Sequence, residues 1–284
     1  MSADPAVSYS PARADVAQRA RRQGFGHLML AEWTKIRSVR STTWTLILFV
    51  IITVGFTALI TWVTIANWNG PHALARDARA VSDPTSIIFG ASIYIGQLTI
   101  CVLGALVITT EYSTGVIRAS LLAVPKRLPM LAAKIAVFGL LIFVLAEIVA
   151  FCSFFVGSAI LHSRVSVSLS GPGVLRATLG AGLYLTMFGL FAMAIGALVR
   201  HTAGSISIAI GVAFVLPILA GLLPDTSFFN HLNAYLPQQA GSLIYQVHSA
   251  SGQLLTGWEG FGVLSIWTVV LMVAAAWLLD RRDA

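Results

Sequence analysis

Six long apolar runs, near residues 42–66, 86–110, 134–160, 174–199, 204–223 and 261–280, occupy most of this sequence. A helix rising 1.5 Å per residue needs about 20 apolar residues to cross roughly 30 Å of hydrocarbon, and each run has that length. Lipid offers no partner to backbone N–H and C=O groups, so runs of this length read as helices, which bond their own backbone. With 57% of residues hydrophobic and 10% charged, too little remains to surface a water-soluble domain. The expected fold is an all-α integral membrane protein with six transmembrane helices.

Charge placement sets the expected topology. The chain carries 18 Lys and Arg and a net charge of +7. Six spans with a cytoplasmic start leave only Arg76, Arg79, Arg164 and Arg176 outside, and Asp77 and Asp83 balance the first two. Every other basic residue, from Arg13 to Arg282, falls inside, so the positive-inside rule predicts both termini in the cytoplasm. Because the charges are spread along loops and not gathered on one face, no nucleic-acid partner is expected. Residues 1–25, rich in Ala, Ser, Pro and Arg, read as a disordered cytosolic tail, and 26–284 as one membrane domain. The first apolar run starts only after about 40 residues and is too long for an h-region, so no cleavable signal peptide is expected. Cys101 and Cys152 fall in the second and third runs, where neither a disulfide nor a metal set is expected.

Two segments at the expected cytosolic side stand out. From His27 to Arg40, Met29, Trp33, Ile36 and Val39 recur at helical spacing, with Glu32, Lys35, Arg37 and Arg40 as a mostly basic remainder. This predicts an amphipathic helix lying in the interface. Two readings stay open: a membrane-entry anchor, or a lever joined to the first span that touches a cytosolic partner. After the second span come Glu111, Tyr112, Ser113, Thr114 and Gly115, then Val116–Val124, enough for two helical turns. Pro125 and Pro129 are expected to stop that helix, with Lys126, Arg127 and Lys134 at the membrane surface. Its Ile117, Leu121 and Val124 would form an apolar face that needs something to dock on.

Inside the apolar runs, Glu147 is the sole Asp, Glu, Lys or Arg near mid-span. A carboxylate there costs about 2.5–3.5 kcal/mol on insertion scales unless it is neutral, wet or hydrogen-bonded, so it is expected to face the bundle interior. Gln97 and Tyr184, with Tyr94 and Ser153, are its possible companions; isolated amides and hydroxyls also serve simply as interhelical glue. Gly182, Gly189 and Gly196 recur every seven residues and predict one smooth face for close helix approach. Pro217 predicts a kink in the fifth span. Residues 224–260 mix Phe228, Phe229, Leu232, Tyr235, Leu236, Leu243 and Tyr245 with polar residues, which predicts amphipathic or partly re-entrant helices at the outer leaflet.

No catalytic, cofactor or metal site is expected in this chain. It lacks the G-x-x-x-x-G-K-[ST] loop that cradles phosphates, so any ATP and Mg²⁺ would be bound by a partner. None of its six histidines forms an H-E-x-x-H motif; His231 and His248, both in the 224–260 segment, are the nearest approach to a metal or acid/base pair. There is no G-x-S-x-G elbow.

Taken together, Glu32-Trp33-Thr34-Lys35, Thr110-Glu111-Tyr112-Ser113-Thr114-Gly115, Ala132-Ala133-Lys134, Arg200-His201-Thr202-Ala203-Gly204 and the terminal Arg281-Arg282-Asp283-Ala284 resemble the permease subunits of ABC type-2 transporters, over nearly the whole chain. The resemblance implies an exporter subunit in a bacterial cytoplasmic membrane, paired with a second permease subunit as a homodimer and driven by two copies of a P-loop ATPase. It further implies a coupling helix near 115–124 and a connecting helix at the entry segment, which makes Glu111, Tyr112, Gly115, Ile117, Arg118, Leu121, Trp33 and Lys35 the ATPase-coupling residues. Glu147, Gln97 and Tyr184 would then line the path of an amphiphilic substrate such as a drug, peptide or lipid. The alternatives are an ion-driven secondary transporter and a membrane scaffold, neither needing an ATPase. A secondary transporter normally shows internal repeats and several paired intramembrane charges, which this sequence lacks.

Overall fold

The computed structural model describes residues 24–38, 40–70, 80–115, 127–224, 226–248 and 253–281, and among them every regular element is helical, with no strand. The coupling helix expected at 115–124 lies outside the described residues beyond Gly115, so Ile117, Arg118 and Leu121 have no structural description. The elements are α1 (Phe25–Ser38), α2 (Arg40–Ala66), α3 (Pro84–Ser113), α4 (Arg127–Leu161), α5 (Val174–Val199), α6 (Thr202–Gly221), α7 (Ser227–Ala234), α8 (Pro237–Ser242) and α9 (Gly257–Arg281). Six of these, α2 to α6 and α9, are long and apolar enough to cross a membrane.

Helix ends follow local chemistry. Asp83 caps α3, its carboxylate accepting from the Ser86 N–H at 3.2 Å, and Pro84 at the first helical position loses only an N–H that would be unbonded anyway. The same logic corrects the expectation for Pro129. It sits in the first turn of α4, where a proline is tolerated. Because α4 starts at Arg127, Lys134 lies two turns inside the helix and is buried against neighbouring helices. Pro217 is accommodated by a π-helical stretch, Gly211–Val215, directly before it. The Leu216 N–H bonds the Gly211 carbonyl, five residues back, which resets the ladder ahead of the residue that cannot donate.

The centre of the bundle is α5, which packs on α3, α4, α6 and α9. Its small residues make this possible: Gly180, Ala181, Gly182, Gly189, Ala192, Ala194, Gly196 and Ala197 are all buried. The glycine stripe meets two neighbours of the same chain. Gly189 and Gly196 face Ile100 and Ile108 of α3, whereas Gly182 faces Glu147 of α4. By contrast α2 and α9 turn Trp62, Ile51, Ile266 and Val273 outward, as lipid-facing surface would. Along its inner side α2 carries Thr53, Thr57, Thr61 and Thr64, all buried; the hydroxyls of Thr57, Thr61 and Thr64 bond carbonyls four residues back.

The 224–260 segment divides in two. In α7, Phe228 and Leu232 are exposed, but from Leu236 to Tyr245 the chain is largely buried against α9 and α5. Tyr245 packs edge-on against Tyr184 at 5.3 Å, and Gly241 lies where any side chain would strike Leu264 and Tyr184. Gly180, six residues into α5, lies against the Ile244 carbonyl, so this segment dips roughly 9 Å into the bundle. Arg176 clamps it, donating to the carbonyls of Ile244 at 3.2 Å and Gln246 at 2.7 Å. Beside α7, a cavity of about 540 Å³ is lined by polar groups including Asn230, His231, Asn233 and Gln239.

Candidate functional site: a charged knot at the end of the bundle

Four ionised side chains from three helices meet where α1 crosses the bundle. Glu32 and Lys35 are three residues apart on α1 and share a face; Glu111 lies in the last turn of α3, and Lys134 two turns into α4. The Lys134 ammonium donates to Glu32 Oε2 at 2.5 Å and to Glu111 Oε1 at 2.7 Å. Lys35 donates to Glu32 Oε1 at 2.7 Å and to Glu111 Oε1 at 3.2 Å. Each carboxylate therefore meets both ammonium groups, and the four formal charges cancel. Glu32 and Lys134 are each 3% exposed and Glu111 8%.

Such a cluster is held by its completeness. Taking one charge from water into a protein interior costs several kcal/mol even after relaxation, and the opposite charges offset that only while all are present. Burial pushes the Glu32 carboxyl up, but Lys134 first and then Lys35, by charge and hydrogen bonding, hold it below its ordinary value. Burial likewise pushes the Lys35 ammonium down, while Glu32 and Glu111 keep it above its ordinary value. Glu32 is thus held ionised and Lys35 protonated across the physiological range.

Neighbouring contacts extend the knot to the remaining helices. The Arg200 guanidinium stacks over the Tyr112 ring at 5.1 Å and reaches the Leu278 carbonyl of α9 at 3.4 Å. Arg200 is the hinge of the α5–α6 turn, in the left-handed region at φ 57°, and the adjacent His201 caps α6 by accepting from the Gly204 N–H. Thr202 Oγ1 meets Thr109 Oγ1 at 3.1 Å. The segments containing Glu32, Glu111, Lys134 and Arg200, far apart in sequence, thus converge at one end of the bundle.

Of the residues singled out from sequence for coupling, Lys35, Glu111 and Tyr112 are brought together here. Trp33 is not: it points away from the bundle and is 44% exposed, so the buried face of α1 is the one carrying Glu32 and Ile36. Gly115 closes α3 at φ 72°, a conformation that glycine adopts without strain, and turns the chain out of the helix. The sequence reading quoted Glu32, Lys134 and Arg200 within the segments that carry the resemblance but did not place them among the coupling residues. The available signal was the i, i+3 Glu-Lys pair on a helix expected at an interface, together with one lysine inside an otherwise apolar run.

The mid-span polar residues form two separate groups. Tyr184 donates to Gln97 Oε1, joining α5 to α3, and the Gln97 amide nitrogen has no hydrogen-bond partner. Tyr94 stacks edge-on against Phe214 at 4.5 Å. Glu147 joins neither pair. It meets α5 at Gly182, and because Gly182 and Tyr184 are two residues, about 200°, apart, the Gln97–Tyr184 bond lies on the other side of α5. Both Glu147 oxygens are buried without a hydrogen bond, as is Ser153 Oγ. Cys101 and Cys152 are free thiols. No protein-family model matches this sequence, and no curated protein matches it at a significant level.

Proposed function

We propose that the chain is the permease subunit of an ATP-driven exporter of the ABC type-2 class, in a bacterial cytoplasmic membrane, with its termini and the charged knot on the cytoplasmic side. A separate P-loop ATPase, in two copies, docks on α1 and on the segment between α3 and α4. Two permease subunits pair around the substrate path. ATP binding closes the ATPase dimer, pushes on both docking elements, and rocks the spans so that an amphiphilic substrate leaves outward.

The observation that carries this reading is the knot. A membrane-entry anchor needs no buried charges, yet α1 is tied through buried Glu32 and half-exposed Lys35 to Lys134 and Glu111 of the helices flanking residues 116–126, at the start of α4 and the end of α3. A push received by α1 or by that segment would reach the same three helices as one rigid body. Affinity purification of the tagged chain in mild detergent, with mass spectrometry and an ATPase assay of the eluate, tests the reading. A P-loop ATPase in near-equal amount, lost when Ile117 and Leu121 are changed to Asp, is the expected result. An ATPase-free homo-oligomer would overturn it.

One observation favours a second reading, an ion-driven transporter: the unpaired mid-span carboxyl of Glu147 is the kind of group that carries protons in pumps and transporters. On that reading transport collapses when the proton gradient is dissipated and is indifferent to ATP.

A further inference from the structure

Glu147 is built into the bundle and yet is given nothing to bind. The apolar runs contain no Lys, Arg, Asp or His at its depth, and the other titratable side chains in the middle of the helices around it are Tyr94 and Cys101 of α3, Cys152 of α4 itself and Tyr184 of α5. Neither carboxyl oxygen has a hydrogen-bond partner. The adjacent hydroxyl of α5 that might have served, Thr186 Oγ1, donates instead to the Gly182 carbonyl at 2.8 Å.

Space for the carboxyl is nevertheless specific. A Cβ on Gly182 would lie 2.5 Å from both Cδ and Oε1 of Glu147, so a side chain at 182 would push the carboxyl, the free end of a flexible side chain, off this position. Leucine or valine at 147 would have filled this contact without the cost of a buried acid. The surroundings also fit a particular chemistry. Phe143 and Phe151 lie one turn below and one turn above Glu147 on the same stripe of α4, and Phe143, Val144 and Ile148 are exposed, with Leu179 exposed on α5. A lone carboxyl, buried where α4 meets α5 beside this exposed apolar rim, complements a positive charge carried on an apolar body. The acid neutralises the cation, phenyl groups one turn away add to the attraction, and the aliphatic rim covers the rest.

We propose that the Glu147–Gly182 notch binds the charged centre of a membrane-dissolved amphiphilic cation, and that the cargo of this permease belongs to that class. The assignment of the cation as cargo rests on the transport reading above; the binding site does not. A cation entering the notch replaces the carboxyl proton: the acid O–H breaks, the proton leaves to water, and the carboxylate pairs with the cation.

The test is equilibrium binding of tetraphenylphosphonium to the purified chain in dodecyl maltoside, without any ATPase, so that its outcome is independent of the ATP-driven mechanism. Affinity is expected to rise with pH, with one proton released per cation bound, and to fall about ten-fold or more in Glu147→Gln while Glu147→Asp retains part of it. Triphenylphosphine oxide, neutral and of similar bulk, should show no dependence on residue 147. Equal tetraphenylphosphonium binding by wild type and Glu147→Gln, or binding without proton release in the wild type, would overturn the proposal. Displacement of the probe by short-chain phosphatidylethanolamine would assign the notch to a lipid head group and overturn it as well. The pH series on unaltered protein stands even if a variant fails to fold.

Discussion

The knot at the end of the bundle and the acid at its middle are both buried carboxyl sites, and they solve the same electrostatic problem in opposite ways. At the knot, Glu32 and Glu111 are each met by two ammonium groups, and the cluster is neutral as a whole. At mid-span, Glu147 has a shaped recess but no hydrogen-bonding partner. A complete set of partners fixes helices to one another, because any relative movement separates charges in a dry place. A site without a partner leaves its helices free of that constraint and its acid unpaired. The difference separates a region locked by charge from one that is not.

The sharpest way to break this comparison is to remove one charge from each region. Lys134→Ala should destabilise the protein by about 3–5 kcal/mol, since it strands two carboxylates near a single remaining lysine. Glu147→Gln should be neutral or mildly stabilising. Both are read by unfolding in mixed detergent, and equal effects at the two positions would erase the distinction. Gly182→Ala comes next, at about 1 kcal/mol, because the Glu147 carboxyl, the free end of a flexible side chain, must swing aside. In a Glu147→Ala background the same change should lose most of its effect; a persistent penalty would mean that the glycine serves backbone packing and not the acid.

Tyr184→Phe should cost about 1 kcal/mol, because it frees Gln97 Oε1 in a place where the amide nitrogen already lacks a partner. The smallest effect is that of pH. Glu32 is held below its ordinary value of 4.5, so its contribution is full above that pH and fades as pH falls through the lowered folded value. Lys35 is held above 10.5, so its contribution is full below that pH and fades as pH rises through the raised folded value. The contribution of Glu32 and Lys35 should therefore be flat from about pH 5 to pH 10 and missing in a variant carrying Glu32→Gln and Lys35→Met; a slope within the window in wild type would place the titration elsewhere.

The spans were legible because hydrocarbon demands long apolar helices and little else; Thr42–Ala66 and Val174–Val199 coincide with the first and fourth runs. Their ends were less so. Pro129 reads as a helix stop, yet in a first turn its missing N–H does no harm, and α4 then carries Lys134 two turns along, buried against Glu32 and Glu111. The stripe of Gly182, Gly189 and Gly196 was visible as a packing face, but which neighbour each glycine admits depends on how α3 and α4 are arranged around α5. Glu147 was conspicuous as a lone acid. That its oxygens find no hydrogen-bond partner depends on how α4 and α5 pack, which no pattern encodes. The knot joins residues 76 and 102 positions apart, and only the Glu32–Lys35 pair is local enough to be read from spacing.

The central claim is that the four charges act as one unit binding α1 to α3 and α4, and a double-mutant cycle on Glu32→Ala and Lys134→Ala measures it most directly. The single changes remove partners from the same cluster, so the double variant should lose less stability than the two losses added together, with a coupling of about 2 kcal/mol. Losses that add to within about 0.5 kcal/mol would show two independent surface charges and contradict the account.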